Sequence, residues 1–219
     1  MKIKAAVISL ILTLSFLPIV SFAENVNDLK IKTVLDYNII QGDEKGNLNL
    51  NENITRAEMA KIICELLCVD TSCEATCPFT DISADFWGLP FISAVYNRGI
   101  VNGYEDMTFR PNDHIIYNDA FKMIVEAINY SFFAETNGGY PAGYQTVAKD
   151  LELVARDFVN YTHKVNRYEA GVLIYNVLDI PIARKADNEY GFVLMNGVYD
   201  TTSPRMTLRM LHDKSLTQE

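Results

Sequence analysis

The chain has 219 residues, 49 % apolar and 21 % charged, ordinary globular values that exclude wholesale disorder. Its formal charge of −9 excludes a general nucleic-acid binder, which needs a basic footprint, and excludes coating of an anionic surface by bulk attraction. An anionic partner has to be captured locally, by a few placed cations.

The chain opens "MKIKAAVISLILTLSFLPIVSFAEN", which reads as a secretory signal over residues 1–23. Lys2 and Lys4 form the charged start, Ala5 to Val20 the apolar run, and Ser21-Phe22-Ala23 the small-residue cleavage site. An uncleaved anchor is the other reading, but the run is short for a spanning helix. This leader carries two lysines and no acid, so its removal deepens the charge by two, to −11. No later stretch is long and apolar enough to span a bilayer, so no transmembrane segment is expected after cleavage.

Ile31, Val34 and Ile39 then mark a short apolar helix, followed by the turn-rich "IIQGDEKGNLNLNEN". Aligned as a calcium loop on Gly46, that stretch puts Gln41 first and Lys45 fifth, where oxygen donors are wanted, so an EF-hand is rejected. "NITRAEMAKIICELL" follows: Met59, Ile62, Ile63, Leu66 and Leu67 give the i, i+3, i+4, i+7 stripe of an amphipathic helix. Thr55 and Glu58 form a capping box at its start. Cys64, Cys68, Cys73 and Cys77 come next. In a secreted chain their first reading is two disulfides tying helix to linker, with free thiols or a metal cluster as alternatives.

The pattern recurs. Ile92, Val95 and Ile100 repeat the short helix, "IVNGYEDMTFRPNDH" the loop, and Phe121, Ile124, Val125 and Ile128 the stripe. Gly42 and Gly103 hold the same place, where a turn out of the helix asks for φ > 0. A third unit has Gln145, Ala148 and Leu153, the shorter "LVARDFVNYTHK" without glycine, and the stripe Ala170, Leu173, Ile174, Val177 and Leu178 behind an Asn166/Glu169 cap. "CVDTSCEATCP" and "YSFFAETNGGYPAG" read as connections between units. Units this small cannot bury their own stripes and must pack on one another. After Pro181, "EYGFVLMNGVYD" reads as a β-hairpin turning at Asn196-Gly197, with an ambiguous "SPRMTLRMLHDKS" behind it.

Arg56 and Arg167 sit in the first turn of their helices, where the macrodipole disfavours a cation by about 0.3–1 kcal/mol. An inter-unit salt bridge is one explanation. The other is anion capture, because a guanidinium fork takes a carboxylate bidentately and a helix start offers unpaired N–H groups. On that reading Arg56→Ala loses binding and keeps the fold. In the second unit "IIYNDAF" stands where the first has "ITRAEM", which reads as Asn118 and Ala120 replacing the arginine and glutamate.

"ITRAEMAKII", "FTDISADFWGLPFISAVYNRGIVNGYEDMTFRPNDHI" and "GGYPAGYQTVAKDLEL" together resemble S-layer homology domains over roughly residues 29 to 182. The resemblance implies a mainly α fold of three helix-loop-helix lobes in a pseudo-threefold bundle, to which the sequence adds the short C-terminal hairpin. The units run 24–78, 79–136 and 137–182, with a tail at 183–219. It also implies non-covalent attachment to a secondary cell wall polysaccharide held on peptidoglycan, often one bearing anionic pyruvate ketals, at the cell wall or S-layer. On this resemblance Arg56, Glu58, Asp81, Trp87, Gly103, Tyr140, Tyr144 and Arg167 are the ligand-binding candidates. Each has a structural alternative: capping for Glu58, a turn for Asp81 and Gly103, packing for Trp87, Tyr140 and Tyr144. The rival function is an S-layer assembly module whose lobes pack on other S-layer proteins without recognising glycan. No cofactor, metal or nucleic acid is expected. His114, His163 and His212 are scattered, and no catalytic motif supports an enzyme.

Overall fold

The computed structural model describes residues 26–43, 45–72, 76–183 and 206–216. The expected leader and the hairpin at 189–200 lie outside them. The described residues form eight helices: α1 (Val26–Asp36), α2 (Arg56–Leu66), α3 (Leu89–Asn97), α4 (Tyr117–Ala127), α5 (Ser131–Thr136), α6 (Ala142–Asp150), α7 (Arg167–Val177) and α8 (Leu208–Leu216). None of them is long and apolar enough to cross a membrane.

The short helices α1, α3 and α6 end alike. Asn38, Gly99 and Glu152 take positive φ (58°, 72° and 57°). The next N–H then returns to the carbonyl five residues back: Ile39 to Val34, Ile100 to Val95, Leu153 to Ala148, at 2.9–3.0 Å. These are Schellman closures, and the buried Ile39, Ile100 and Leu153 are their hydrophobic pins. Gly103 has the positive φ expected of it (69°), and a Cβ there would lie 2.3 Å from the Phe79 ring. Gly42 does not share that conformation. Glycine is needed there because a Cβ would sit 2.9 Å from the Gly46 backbone.

The long helices meet at their amino ends. Ile54 N–H donates to Val165 O (3.0 Å), Val165 N–H to Ile115 O (2.9 Å) and Ile115 N–H to Ile54 O (3.1 Å), a closed ring of three backbone bonds. The three side chains at this hub have no exposed surface. The first two N–H groups of each helix then reach into the segment that precedes another. Arg56 and Ala57 of α2 donate to Asp113 O and Pro111 O; Tyr117 and Asn118 of α4 donate to His163 O and Tyr161 O; Arg167 and Tyr168 of α7 donate to Glu52 O and Leu50 O, all at 2.9–3.1 Å.

Side by side, each short helix packs on a long helix of a different sequence unit: α3 on α2, α6 on α4, and α1 on α7. The chain ends are thereby interlocked, and Gly171 of α7 lets Ile31 and Ile40 approach, since a Cβ there would stand 2.7 and 3.2 Å from their Cδ1 atoms. One segment read as a plain connection carries helix, and so does the tail, read as ambiguous with a possible helix face. Residues 131–136 form α5 against α6, where Gly143 admits the Ala134 carbonyl (a Cβ would fall 1.8 Å from it). The ambiguous tail forms α8, whose Arg209 N–H bonds Leu178 O at 2.9 Å and pairs with Asp179 at 2.6 Å. His212 stacks on Tyr37 and meets Leu66 O at 3.0 Å, so α8 lies across the ends of α1, α2 and α7.

The expected disulfides are not formed. Cys64, Cys68 and Cys77 are free thiols, and Cys73 lies outside the described residues. Cys64 faces the core, where its thiol contacts Phe91 O at 3.5 Å and burial pushes its pKa up to about 12. In the native protein Cys64 is expected to resist a thiol reagent at neutral pH and to react on unfolding; mass spectrometry of reagent adducts checks this. At the hub, Ile115→Ala is expected to cost about 2–5 kcal/mol by urea denaturation, against ±0.5 kcal/mol for the exposed Val159→Ala.

Candidate binding grooves

The amino ends of the long helices line three clefts, each built from the first residue of one helix and the third residue of another. In the first cleft these are Arg56 of α2 and Asp119 of α4; in the second, Arg167 of α7 and Glu58 of α2; in the third, Tyr117 of α4 and Glu169 of α7. The sixth helical residue follows suit, giving Lys122, Lys61 and Val172 in that order.

The first cleft is small, about 170 Å³. Arg56 is 8 % exposed, its Nε donates to Phe109 O at 3.0 Å, and its NH1 stands 3.4 Å from Asp119. The guanidinium lies 5.1 Å from the Tyr104 ring centre and 4.8 Å from that of Phe109. Tyr140 closes the far wall and donates its hydroxyl to the other Asp119 oxygen at 2.7 Å, while Lys122 Nζ sits 5.6 Å above its ring. Burial, then the Asp119 carboxylate, raises the Tyr140 phenol above its ordinary pKa and keeps it a donor. Gly103 lines the floor. Arg56 and Lys122 against Asp119 leave this cleft one positive charge in excess.

The second cleft, about 290 Å³, brings Arg167, Glu58 and Trp87 together. Arg167 bonds Glu58, whose other oxygen accepts from Thr55 N–H at 2.7 Å to complete the capping box. Lys61 reaches Gln41 at 3.1 Å. Trp87 stands on the rim, half exposed, braced by Phe86 and Phe91. Asp43, Glu52 and Glu58 outnumber Lys61 and Arg167 here by one. Asp43 is consumed by its own loop, accepting from Lys45 and Asn47 N–H at 2.9 and 2.8 Å; the Asn47 bond is the main cause that holds its carboxyl below the usual range.

Asp81 and Tyr144 are not brought to any of the three clefts. Asp81 gives its two oxygens to Phe109 N–H (2.8 Å) and Arg110 N–H (2.7 Å), bracing the loop that carries the Arg56 acceptor. Tyr144 is 1 % exposed, and its hydroxyl is shared between Glu126 (2.5 Å) and Glu135 (3.0 Å). In α2 and α7 the first two N–H groups are taken by backbone carbonyls and the third by Thr55 (3.2 Å) and Asn166 (2.8 Å). In α4 the first two are taken likewise, while Ile116 supplies no side-chain cap for the third. Anion capture in these clefts falls mainly to side chains.

The register of the second unit is one residue away from the sequence alignment. Tyr117, not Asn118, occupies the position of Arg56, and Asp119 keeps the acidic position of Glu58. Sequence reasoning thus missed Asp119, Lys122 and Tyr117. The available signal was that Asp119 follows Ile116 by three residues, as Glu58 follows Thr55.

The S-layer homology domain model matches residues 30–60 and 78–120. Over 97 residues, 44 % of this chain, it is 34 % identical to the "Surface-layer 125 kDa protein" of Lysinibacillus sphaericus. It is 25 % identical over 177 residues, 78 % of the chain, to the "Surface layer protein" of Brevibacillus choshinensis, and 32 % over 122 residues, 56 % of the chain, to the "S-layer protein sap" of Bacillus anthracis. The chain spans 8 %, 15 % and 14 % of the lengths of these three relatives. Residues 30–60 and 78–120 therefore carry S-layer homology sequence, in a chain whose relatives are surface-layer proteins.

Proposed function

We propose that this protein attaches itself at the bacterial cell surface by gripping an anionic secondary cell wall polysaccharide, without covalent chemistry, through the clefts at the helix hub. The units 24–78, 79–136 and 137–182 form three lobes in a pseudo-threefold arrangement around it. The observation that carries the reading is the first cleft. A guanidinium fixed by Phe109 O and two aromatic faces shares the cleft with Lys122 of α4, with positive charge in excess of Asp119. An entering carboxylate bonds Arg56 and Lys122 while the Tyr140 ring meets the sugar face. Arg167, Lys61 and Trp87 supply the same three group types in the second cleft, where the acids in excess make the hold weaker.

Assembly on other S-layer subunits is the second reading. It is favoured by one observation: both arginines already have carboxylate mates inside the protein. Retention on purified wall sacculi, before and after removal of the acidic polymer, separates the two. Wall binding predicts loss with the polymer, and assembly predicts none.

Two substitutions sharpen this. Arg56→Ala removes a largely buried partner of Asp119 and Phe109 O, so it is expected to cost about 1–3 kcal/mol in urea denaturation as well as binding, which departs from the binding-only loss suggested by sequence. Lys122→Ala touches no buried pair. It is expected to weaken polymer binding about tenfold or more at low salt with an unchanged urea midpoint; unchanged binding would remove the first cleft from the mechanism.

A further inference from the structure

The third cleft is the largest of the three, about 740 Å³, and its chemistry differs. Where the others have arginine it has Tyr117, and where they have lysine it has Val172. We infer that this cleft, in a chain that binds the wall polymer as proposed above, holds an uncharged sugar unit of that polymer. Tyr117 is buried against Phe158, ring centres 4.7 Å apart, and shares the cleft with Glu169; burial first, then that carboxylate, raises its pKa and keeps it neutral. Glu58 and Asp119 each pair with an arginine, whereas Glu169 forms no ion pair among the described residues and accepts the Asn166 backbone N–H at 2.9 Å. Lys30, which donates to Asn176 Oδ1 at 2.7 Å, and the exposed Arg156 balance Glu152 and Glu169, so the lining is neutral as a whole and holds no guanidinium fixed for a carboxylate.

What remains suits a neutral pyranose. Tyr168 and Phe158 offer apolar ring faces for the C–H side of a sugar, and the carboxylates of Glu152 and Glu169 accept from hydroxyls. A carboxylate acceptor favours a neutral polyol for the same reason that it disfavours an anion. The volume exceeds that of the first cleft about fourfold, room for more than one ring.

The test uses the full chain and two polymers: native wall polymer, and the same polymer with its carboxylates reduced to alcohols. Affinity is read by calorimetry. Wild type is expected to retain binding to the reduced polymer. Val172→Trp, filling the cleft from a half-exposed position, is expected to lose at least tenfold on it, and Glu152→Ala, at an exposed position, about threefold. Lys122→Ala is expected to weaken binding to native polymer about tenfold and to hold the reduced polymer as wild type does. Wild type that holds native but not reduced polymer overturns the inference and spares the anionic reading, as does a Val172→Trp protein that binds reduced polymer like wild type. Equal affinity of wild type for both polymers, with Lys122→Ala silent, overturns the anionic reading and spares the third cleft. Failure to hold either polymer overturns both.

Discussion

Three backbone hydrogen bonds, Ile54 to Val165, Val165 to Ile115 and Ile115 to Ile54, govern the rest of this structure. They tie together segments 50 to 111 residues apart, so their loop-closure entropy must be offset elsewhere. The offset comes from burying the three aliphatic side chains completely and from committing six helix-start N–H groups to carbonyls of the neighbouring segments. Each long helix is thereby aimed, since its first two N–H vectors are fixed by a segment that belongs to another unit. The clefts follow from that aim. The first residue of one helix is always delivered beside the third residue of another, whatever those residues are.

That geometry also resolves the misplaced arginines. A cation at a helix start is disfavoured when bare N–H groups surround it, but here those groups already face carbonyls of adjacent segments. The local field at Arg56 is further lowered by Asp119, Phe109 O and two ring faces. The protein therefore tolerates the guanidinium without any ligand, and its presence alone does not demand one. What points to a ligand is the second cation. Lys122 sits over the Tyr140 ring at the lip of the same cleft, where internal pairing does not account for it.

Much of the helical architecture was legible because it rests on local signals: both capping boxes and the 3.6-residue stripes of α2 and α7, though the helix exits fall at Asn38, Gly99 and Glu152 and not at Gly42 and Gly103. The register of α4 was not. Tyr117, Asn118, Ala120, Phe121, Met123, Ile124, Val125 and Ala127 are all buried, because α4 is covered by α2, α5, α6 and α7. Its unburied positions, Asp119, Lys122 and Glu126, lie at helical spacing, but Ala120, Met123, Ile124 and Ala127 and also Phe121, Ile124, Val125 and Ile128 are apolar sets at the same spacing, so an alignment by apolar stripe slides by one residue. That slip hid Asp119 and misassigned the residue that replaces the arginine. The crossing of short helices onto long helices of other units was equally illegible, since periodicity records that a face is covered and not which element covers it. Asp81 and Tyr144 failed as groove residues for a related reason: a motif position does not say whether its polar atoms are spent on backbone or neighbouring acids.

Sequence divergence among the three clefts then acts on a fixed frame. Because the hub sets where the helix starts meet, exchanging Arg56 and Lys122 for Tyr117 and Val172 changes the charge of a cleft without moving the helix ends that carry them. The paired acid stays in every cleft, as Asp119, Glu58 or Glu169, since in α2 and α7 it also closes a capping box that the helix start depends on. Retaining the acid while varying the cation turns one structural scaffold into clefts of excess positive, excess negative and balanced lining. A polymer whose repeat alternates charged and neutral units would then meet unlike clefts in sequence along its length, so that register as well as affinity would be selected. The same frame ties specificity to folding asymmetrically: Glu58 and Glu169 cannot be exchanged without loosening a helix start, while Lys122, Lys61 and Val172, which close no cap, are free to set what each cleft accepts.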